Sequence, residues 1–185
     1  MELQDKFLIA MPNLQDSYFA YSVIYICEHN DQGTMGLVVN QPTDLSVAEL
    51  VAKLNFMMAD GREYPDMFVL AGGPVNIERG FILHTTTEQD FEHSYKVTDN
   101  LQLTTSEDVI TTFGTLKEPT KYLVALGCAS WKPGQLEEEI SENAWLVVPA
   151  NERVLFDVPF ENRWAEAQQL LGFKPSSLVA QAGYC

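Results

Sequence analysis

Apolar runs in this chain are short, and most end at a proline or a glycine. Phe7-Leu-Ile-Ala-Met11 stops at Pro12, Met67-Phe-Val-Leu-Ala71 at Gly72-Gly73-Pro74, Tyr122-Leu-Val-Ala-Leu126 at Gly127, and Trp145-Leu-Val-Val148 at Pro149. Proline removes a ladder donor and glycine weakens a strand interior, so both mark strand ends. Short runs rich in β-branched and aromatic residues, bounded in this way, read as strands rather than helices. Ser22–Cys27 and Thr34–Val39 add two more around a turn at Glu28–Gly33, which makes a hairpin. Gly36 in mid-strand signals a bulge or a close backbone approach. Asn76–Gly80 reads as a connection into a strand at Phe81–His84, Thr85–Glu92 as a surface loop, and Tyr95–Thr104 as one or two short strands. Arg153–Phe156 is an ambiguous apolar run that can form a sheet edge.

Helical periodicity is confined to a few segments. Ser46 and Glu49 have capping-box spacing, followed by a Val47, Leu50, Val51, Leu54 stripe. Ser106 can cap a short helix carrying Val109, Ile110 and Phe113, with Gly114 at its end. Phe160–Leu171 puts Trp164, Ala167 and Leu171 on one face and is closed by Gly172 and Pro175. The tail, Ser176–Cys185, lacks charge and is expected to be mobile. The pattern predicts a single compact α+β domain over residues 1–185. Its sheet is mixed and largely antiparallel, with three to four helices packed against it.

The stretch Leu126–Ile140 looks like the organising element. An apolar run feeds a loop bounded by Gly127 and Gly134, and helix formers follow. That layout can turn backbone N–H groups toward a ligand. The loop is neither a Walker A loop nor a nucleophile elbow. Cys128 is read as a small packing residue and Trp131 as a packed lid or interface aromatic. Glu137, Glu138 and Glu139 suit the positive end of the helix dipole. In the functional reading, Gln135 and Glu137 line a pocket shared with the loop.

Charge narrows the partners. The chain of 185 residues carries 26 acidic and 11 basic residues, a net charge of −15. The basic residues are scattered, and nucleic-acid or anionic-membrane binding needs them clustered. The most basic helix candidate, Phe160–Leu171, carries only Arg163, balanced by Glu161 and Glu166. A protein partner or a small ligand remains open. No stretch approaches the ~20 apolar residues of a membrane span, and the start Met1-Glu-Leu-Gln-Asp-Lys6 is wrong for a signal peptide. The protein is therefore expected in the cytoplasm. Cys27, Cys128 and Cys185 form no paired spacing, so neither a disulfide framework nor a structural zinc site is predicted.

The remaining chemistry-bearing residues are few. Glu28-His29 sits at a strand end and can shuttle a proton or ligate a metal; hydrogen-bonded turn residues are the plainer reading. His84 closes a strand after Gly72-Gly73-Pro74 and can face the same pocket, although strand-end histidines are more often structural. Arg79, in a loop near glycines, can bind an anion or pair with a carboxylate. Met57-Met58 can mark an adaptable binding surface or simply fill core.

Several of these residues recur in one order. Phe7-Leu-Ile-Ala-Met-Pro12, Cys27-Glu-His29, Gly36-Leu-Val-Val-Asn40-Gln-Pro42, Gly72-Gly-Pro-Val75, Arg79-Gly80 with Leu83-His84, Gly127, Trp131 through Pro133-Gly-Gln-Leu-Glu137, and Asn143-Ala-Trp145 span nearly the whole chain. In this the sequence resembles the bacterial YqgE/AlgH family. The resemblance implies a compact α+β fold with a mixed sheet. About activity it implies little beyond the indirect regulatory label of the AlgH branch. The family usually has an aromatic where Cys128 stands and glycine where Ser130 stands, which weakens either as a family nucleophile. The motif residues fall at loops and strand ends, where binding sites gather. Glu28, His29, Gly72, Gly73, Arg79, His84, Trp131, Gly134, Gln135 and Glu137 are therefore the candidate ligand-binding residues. No catalytic constellation, cofactor motif or metal site is predicted. The favoured function is a non-enzymatic regulatory or binding module that acts through a protein partner or small ligand. The alternative is a hydrolase or metal-assisted enzyme using His29, His84 and Glu28 near Trp131–Glu137.

Overall fold

The computed structural model describes residues 2–11, 18–54, 64 and 66–171. In chain order the elements are β1 (Lys6–Ala10), β2 (Val23–Asn30), β3 (Gly33–Val38), β4 (Pro42–Ser46), α1 (Val47–Lys53), β5 (Phe68–Ala71), β6 (Val75–Thr85), β7 (Ser94–Lys96), β8 (Leu101–Thr104), β9 (Tyr122–Trp131), α2 (Gln135–Ser141), β10 (Trp145–Pro149) and α3 (Arg163–Gln169). Short 3-10 segments span Glu107–Thr112 and Phe160–Asn162, and a π-type turn spans Arg153–Asp157. The fold is α+β. Its strands pair antiparallel except for β5 with β9, which run parallel. Among the described residues no helix is long and apolar enough to cross a membrane. Met57-Met58, the 172–175 helix stop and the Ser176–Cys185 tail lie outside the described residues.

The residues divide into two compact units, Met1–Gln41 with Ala129–Cys185, and Pro42–Cys128. The second crossing between them falls inside β9, between Cys128 and Ala129. In the first unit the strand order is β10-β1-β2-β3, with the last residues of β9 beside β3. Leu8, Ile24, Ile26, Trp131, Leu136 and Trp145 form the centre of its core. The β2–β3 hairpin is tighter than the sequence suggested. Glu28, His29 and Asn30 continue the strand instead of turning, and only Asp31 and Gln32 connect it to β3. Gly33, at φ +131°, lets the loop close this soon. Both readings of Gly36 hold. Cys27 is an extra residue in β2 between the Ile26–Gly36 and Glu28–Met35 pairs. A Cβ on Gly36 would meet Tyr25 O and Ile24 Cγ2 at 2.8 Å.

Two expectations for the C-terminal part of this unit are corrected. Arg153–Phe156 is not a sheet edge but lies within the π-type turn, which buries Val154 and Leu155 by local winding. Residues 160–162 wind as a 3-10 turn before α3, and the buried face of α3 is Arg163, Ala167 and Gln168. Arg163 is 4% exposed. Its Nη1 donates to Val39 O (2.6 Å), its Nε donates to Val158 O (2.9 Å), and its guanidinium lies 4.5 Å from the Phe160 ring centre. Burial pulls its pKa down to about 10, with Asp157 opposing, so the group remains charged at neutral pH. A buried cation persists only when its donors are matched, and here backbone carbonyls match them.

In the second unit β9 lies between β6, antiparallel, and β5, parallel; β8 and β7 extend the sheet past β6, and β4 pairs with β5. β4 was not anticipated, because Pro42-Thr-Asp-Leu-Ser46 has no apolar run. The α1 cap is as the spacing implied. Ser46 Oγ accepts from Glu49 N (3.1 Å), and Val47 and Val51 are buried. Ser106 begins the 107–112 turn without capping it; its hydroxyl accepts from His93 N (3.0 Å) and donates to Asp108 Oδ1 (2.5 Å).

Two loops expected here are strand instead. Residues 76–80 belong to the eleven-residue β6, and residues 127–131 belong to the ten-residue β9. The glycines explain how. The segment after β5 passes over β9 to reach its other side, pairing Val75 with Cys128 before Gly80 meets Leu126. Gly127, at φ +81°, sits under that crossing, and a Cβ there would collide with Gly73 O; a Cβ on Gly72 would collide with Gly127 O. Glycine is needed to let backbone touch backbone, so the strand bends here without ending.

Gly127→Ala is therefore expected to lower stability by at least ~2 kcal/mol, from the left-handed backbone plus the collision. Ser46→Ala is expected to cost ~1 kcal/mol, the worth of a helix cap. Urea unfolding of the two variants would measure both, and equal small effects would contradict the crossing argument.

Candidate functional site

The candidate residues separate into two groups. Glu28, His29, Trp131, Gly134, Gln135 and Glu137 belong to the first unit, and Gly72, Gly73, Arg79 and His84 to the second.

In the first unit, the end of β2 and the first turn of α2 bring His29 and Glu137 together. His29 Nδ1 lies 2.7 Å from Thr34 Oγ1, and Nε2 lies 3.6 Å from Glu137 Oε1. That Glu137 oxygen is buried and has no hydrogen-bond partner among the described residues. Glu28 is turned away from the pair and accepts from Asn30 Nδ2 (3.0 Å). Gln135 folds back on the loop, its Oε1 accepting from Lys132 N (3.0 Å), and Gly134 holds φ +80° before α2. Trp131 is 4% exposed, stacked on Phe19 at 6.3 Å and edge-on to Trp145 at 6.2 Å. It presents no free face for a ligand. Thr34 is also buried, so its hydrogen bond to Nδ1 orients the histidine with Nε2 toward Glu137 at the start of α2.

In the second unit, Gly72 and Gly73 are occupied by the backbone crossing at Gly127. His84 is fully enclosed. Its Nδ1 donates to Thr85 O (2.8 Å), Nε2 is 2.7 Å from Thr104 Oγ1, and the Phe91 ring meets it edge-on at 5.5 Å. Burial pushes its pKa below the usual value, with the Thr85 carbonyl opposing. Cys128 is buried as well, which raises its thiol pKa while Arg79 pulls the other way. A buried thiol of this kind is a packing residue.

Arg79 differs from these. As an exposed residue of β6 it lines a cavity of about 260 Å³. The walls come from α1 (Leu50, Leu54), β6 (Ile82), the 107–112 turn (Ile110) and β9 (Val124, Leu126). Its polar lining includes Arg79, Glu78, Thr105 and Glu107. Arg79 Nη2 donates to Thr105 Oγ1 over a long 3.3 Å, and the guanidinium stands 5.7 Å from the Phe81 ring centre. Among the described residues it forms no ion pair. This is the one sequence candidate that has both unspent donors and an adjoining apolar space. Its cavity partners were not identified from sequence. Leu50 and Leu54 were legible only as a helix stripe, while Glu78, Thr105 and Glu107 carry no local signal. Among the described residues no three His, Cys, Asp or Glu side chains are grouped as metal ligands.

The enclosed His84 makes stability pH-dependent. Its folded pKa lies below the unfolded value of about 6.5, so the unfolded chain binds its proton first as pH falls. Its contribution is intact above pH ~6.5 and is lost as pH drops toward the folded pKa, with a slope of at most ~1.4 kcal/mol per pH unit. Urea unfolding at a series of pH values should show this loss, and His84→Gln should remove that part of the slope.

Comparison with known proteins agrees with the geometry of the fold. The sequence model of the AlgH-like family matches residues 7–176. A UPF0301 protein of Mannheimia succiniciproducens is 76% identical over all of both chains, and one of Pasteurella multocida is 70% identical, also over all of both. The solution structure of the AlgH protein from Pseudomonas aeruginosa is 40% identical, with a TM-score of 0.78, covering 96% of this chain and 93% of that one. A Corynebacterium diphtheriae protein, at 21% identity and TM-score 0.71 over 91% of this chain and 87% of its own, shares the fold. The chain belongs to the AlgH-like family.

Proposed function

We propose that this protein is a non-enzymatic cytoplasmic binding module with a regulatory role, and that it acts by taking a small ligand into the Arg79 cavity. The observation that carries this is the guanidinium of Arg79, which forms no ion pair among the described residues and lines an apolar space of about 260 Å³. Drug-sized sites run from ~300 to 1,000 Å³, so the occupant is small. A protein partner is the second reading. It is supported by Ile77, two residues from Arg79 on β6 and 65% exposed.

The enzymatic alternative draws less support. It needs His29, His84 and Glu28 free to react, but His84 is enclosed and Glu28 is turned to Asn30. Direct nucleic-acid binding is also disfavoured. The net charge is −15, and Arg163, the basic residue of the 160–171 segment, is buried.

A thermal-shift screen of small metabolites tests the cavity. A ligand at about 100 times its dissociation constant adds ~2.7 kcal/mol of stability. The expected result is a hit that Leu50→Trp, which narrows the cavity, abolishes. Silence across the library, or hits indifferent to Leu50→Trp, would reject the cavity ligand in favour of a protein partner.

A further inference from the structure

We infer that the ligand class of the Arg79 cavity is an apolar α-amino acid, an inference that rests on the small-ligand reading above. The argument starts from charge. One guanidinium, Arg79, and two carboxylates, Glu78 and Glu107, line the same small cavity. None of the three forms an ion pair among the described residues, so Arg79 is not neutralised by its acidic neighbours. Among the described residues its only hydrogen bond is the 3.3 Å contact to Thr105, which leaves a planar fork of donors able to take a carboxylate bidentately.

A simple anion would meet Arg79 but also Glu78 and Glu107, in a chain of net charge −15. A simple amine would meet the carboxylates but also Arg79. A molecule carrying a carboxylate and an ammonium group at one end matches both signs. The rest of the cavity then selects the other end of the ligand. Leu50, Leu54, Ile82, Ile110, Val124 and Leu126 offer no polar side-chain atom, so the tail is apolar. At about 260 Å³ there is room for a single small molecule and not for a nucleotide.

The probe is L-leucine on the full-length protein, read by calorimetry and by methyl chemical shifts. It is compared with 4-methylpentanoate, which lacks the ammonium group, 3-methylbutylamine, which lacks the carboxylate, and glycine, which lacks the tail. L-leucine is expected to bind and to shift the methyls of Ile82 and Val124. Each truncated probe should bind at least tenfold more weakly. Arg79→Gln and Glu107→Gln should each weaken leucine at least tenfold without changing the unfolding midpoint of the free protein. Equal or tighter binding of 4-methylpentanoate or of the amine would overturn the amino-acid assignment while leaving the cavity as a ligand site. Leucine binding that Arg79→Gln leaves unchanged would overturn the site. No binding of any probe, alongside a Leu50→Trp-sensitive hit of another class, would overturn the ligand class alone; with no such hit, the cavity reading falls with it.

Discussion

Gly127 carries no side chain because there is no room for one: the backbone of Gly73 crosses β9 at that point, and the carbonyl of Gly127 lies against Gly72 in return. The second unit depends on this contact. It lets the chain leave β5 on one side of β9 and return as β6 on the other, so that β9 is paired along both edges. The strand bends at Gly127 without ending, and residues 129–131, which belong to the first unit, pair there with β3. A larger residue at either glycine would separate strands that the core requires in register.

Buried polarity is handled in the same economical manner in both units. Arg163 gives its donors to the carbonyls of Val39 and Val158, and His84 is held between the Thr85 carbonyl and the Thr104 hydroxyl. Among the described residues neither forms an ion pair, although the chain has 26 acidic residues. Backbone carbonyls satisfy donors without a second desolvated charge, which is what makes such burial tolerable. These two residues thus serve the fold. Arg79 differs from both: it has an exposed position on β6, a long hydrogen bond to Thr105 and an apolar cavity beside it.

Local signals in the chain specify local structure. The short apolar runs and the Ser46–Glu49 cap could be read because each depends on neighbours in sequence. The same was true of the α+β class and of the blocks that resemble the YqgE/AlgH family. Glycine misled where its cause was distant. Gly127 looks like loop punctuation, yet it is a strand residue, shaped by the segment that crosses over it. The Arg153–Phe156 run is ambiguous in sequence, with a sheet edge as one reading, because four apolar or long residues have no resolvable period; the structure winds it into a π-type turn.

Of the candidate site residues, the sequence could supply the types but not the company each keeps. It marked His29, His84, Arg79 and Glu137 as the side chains with chemistry to offer, since titratable residues beside glycines and strand ends are visible in one dimension. Only the tertiary structure decided that His29 meets Glu137, that His84 is sealed in the core, and that Arg79 borders a cavity walled by α1, β6, β9 and the 107–112 turn. The physical reason is range. Caps, turns and strand runs are set by residues a few positions apart, whereas enclosure and pairing are set by side chains brought together from elements far apart in the chain.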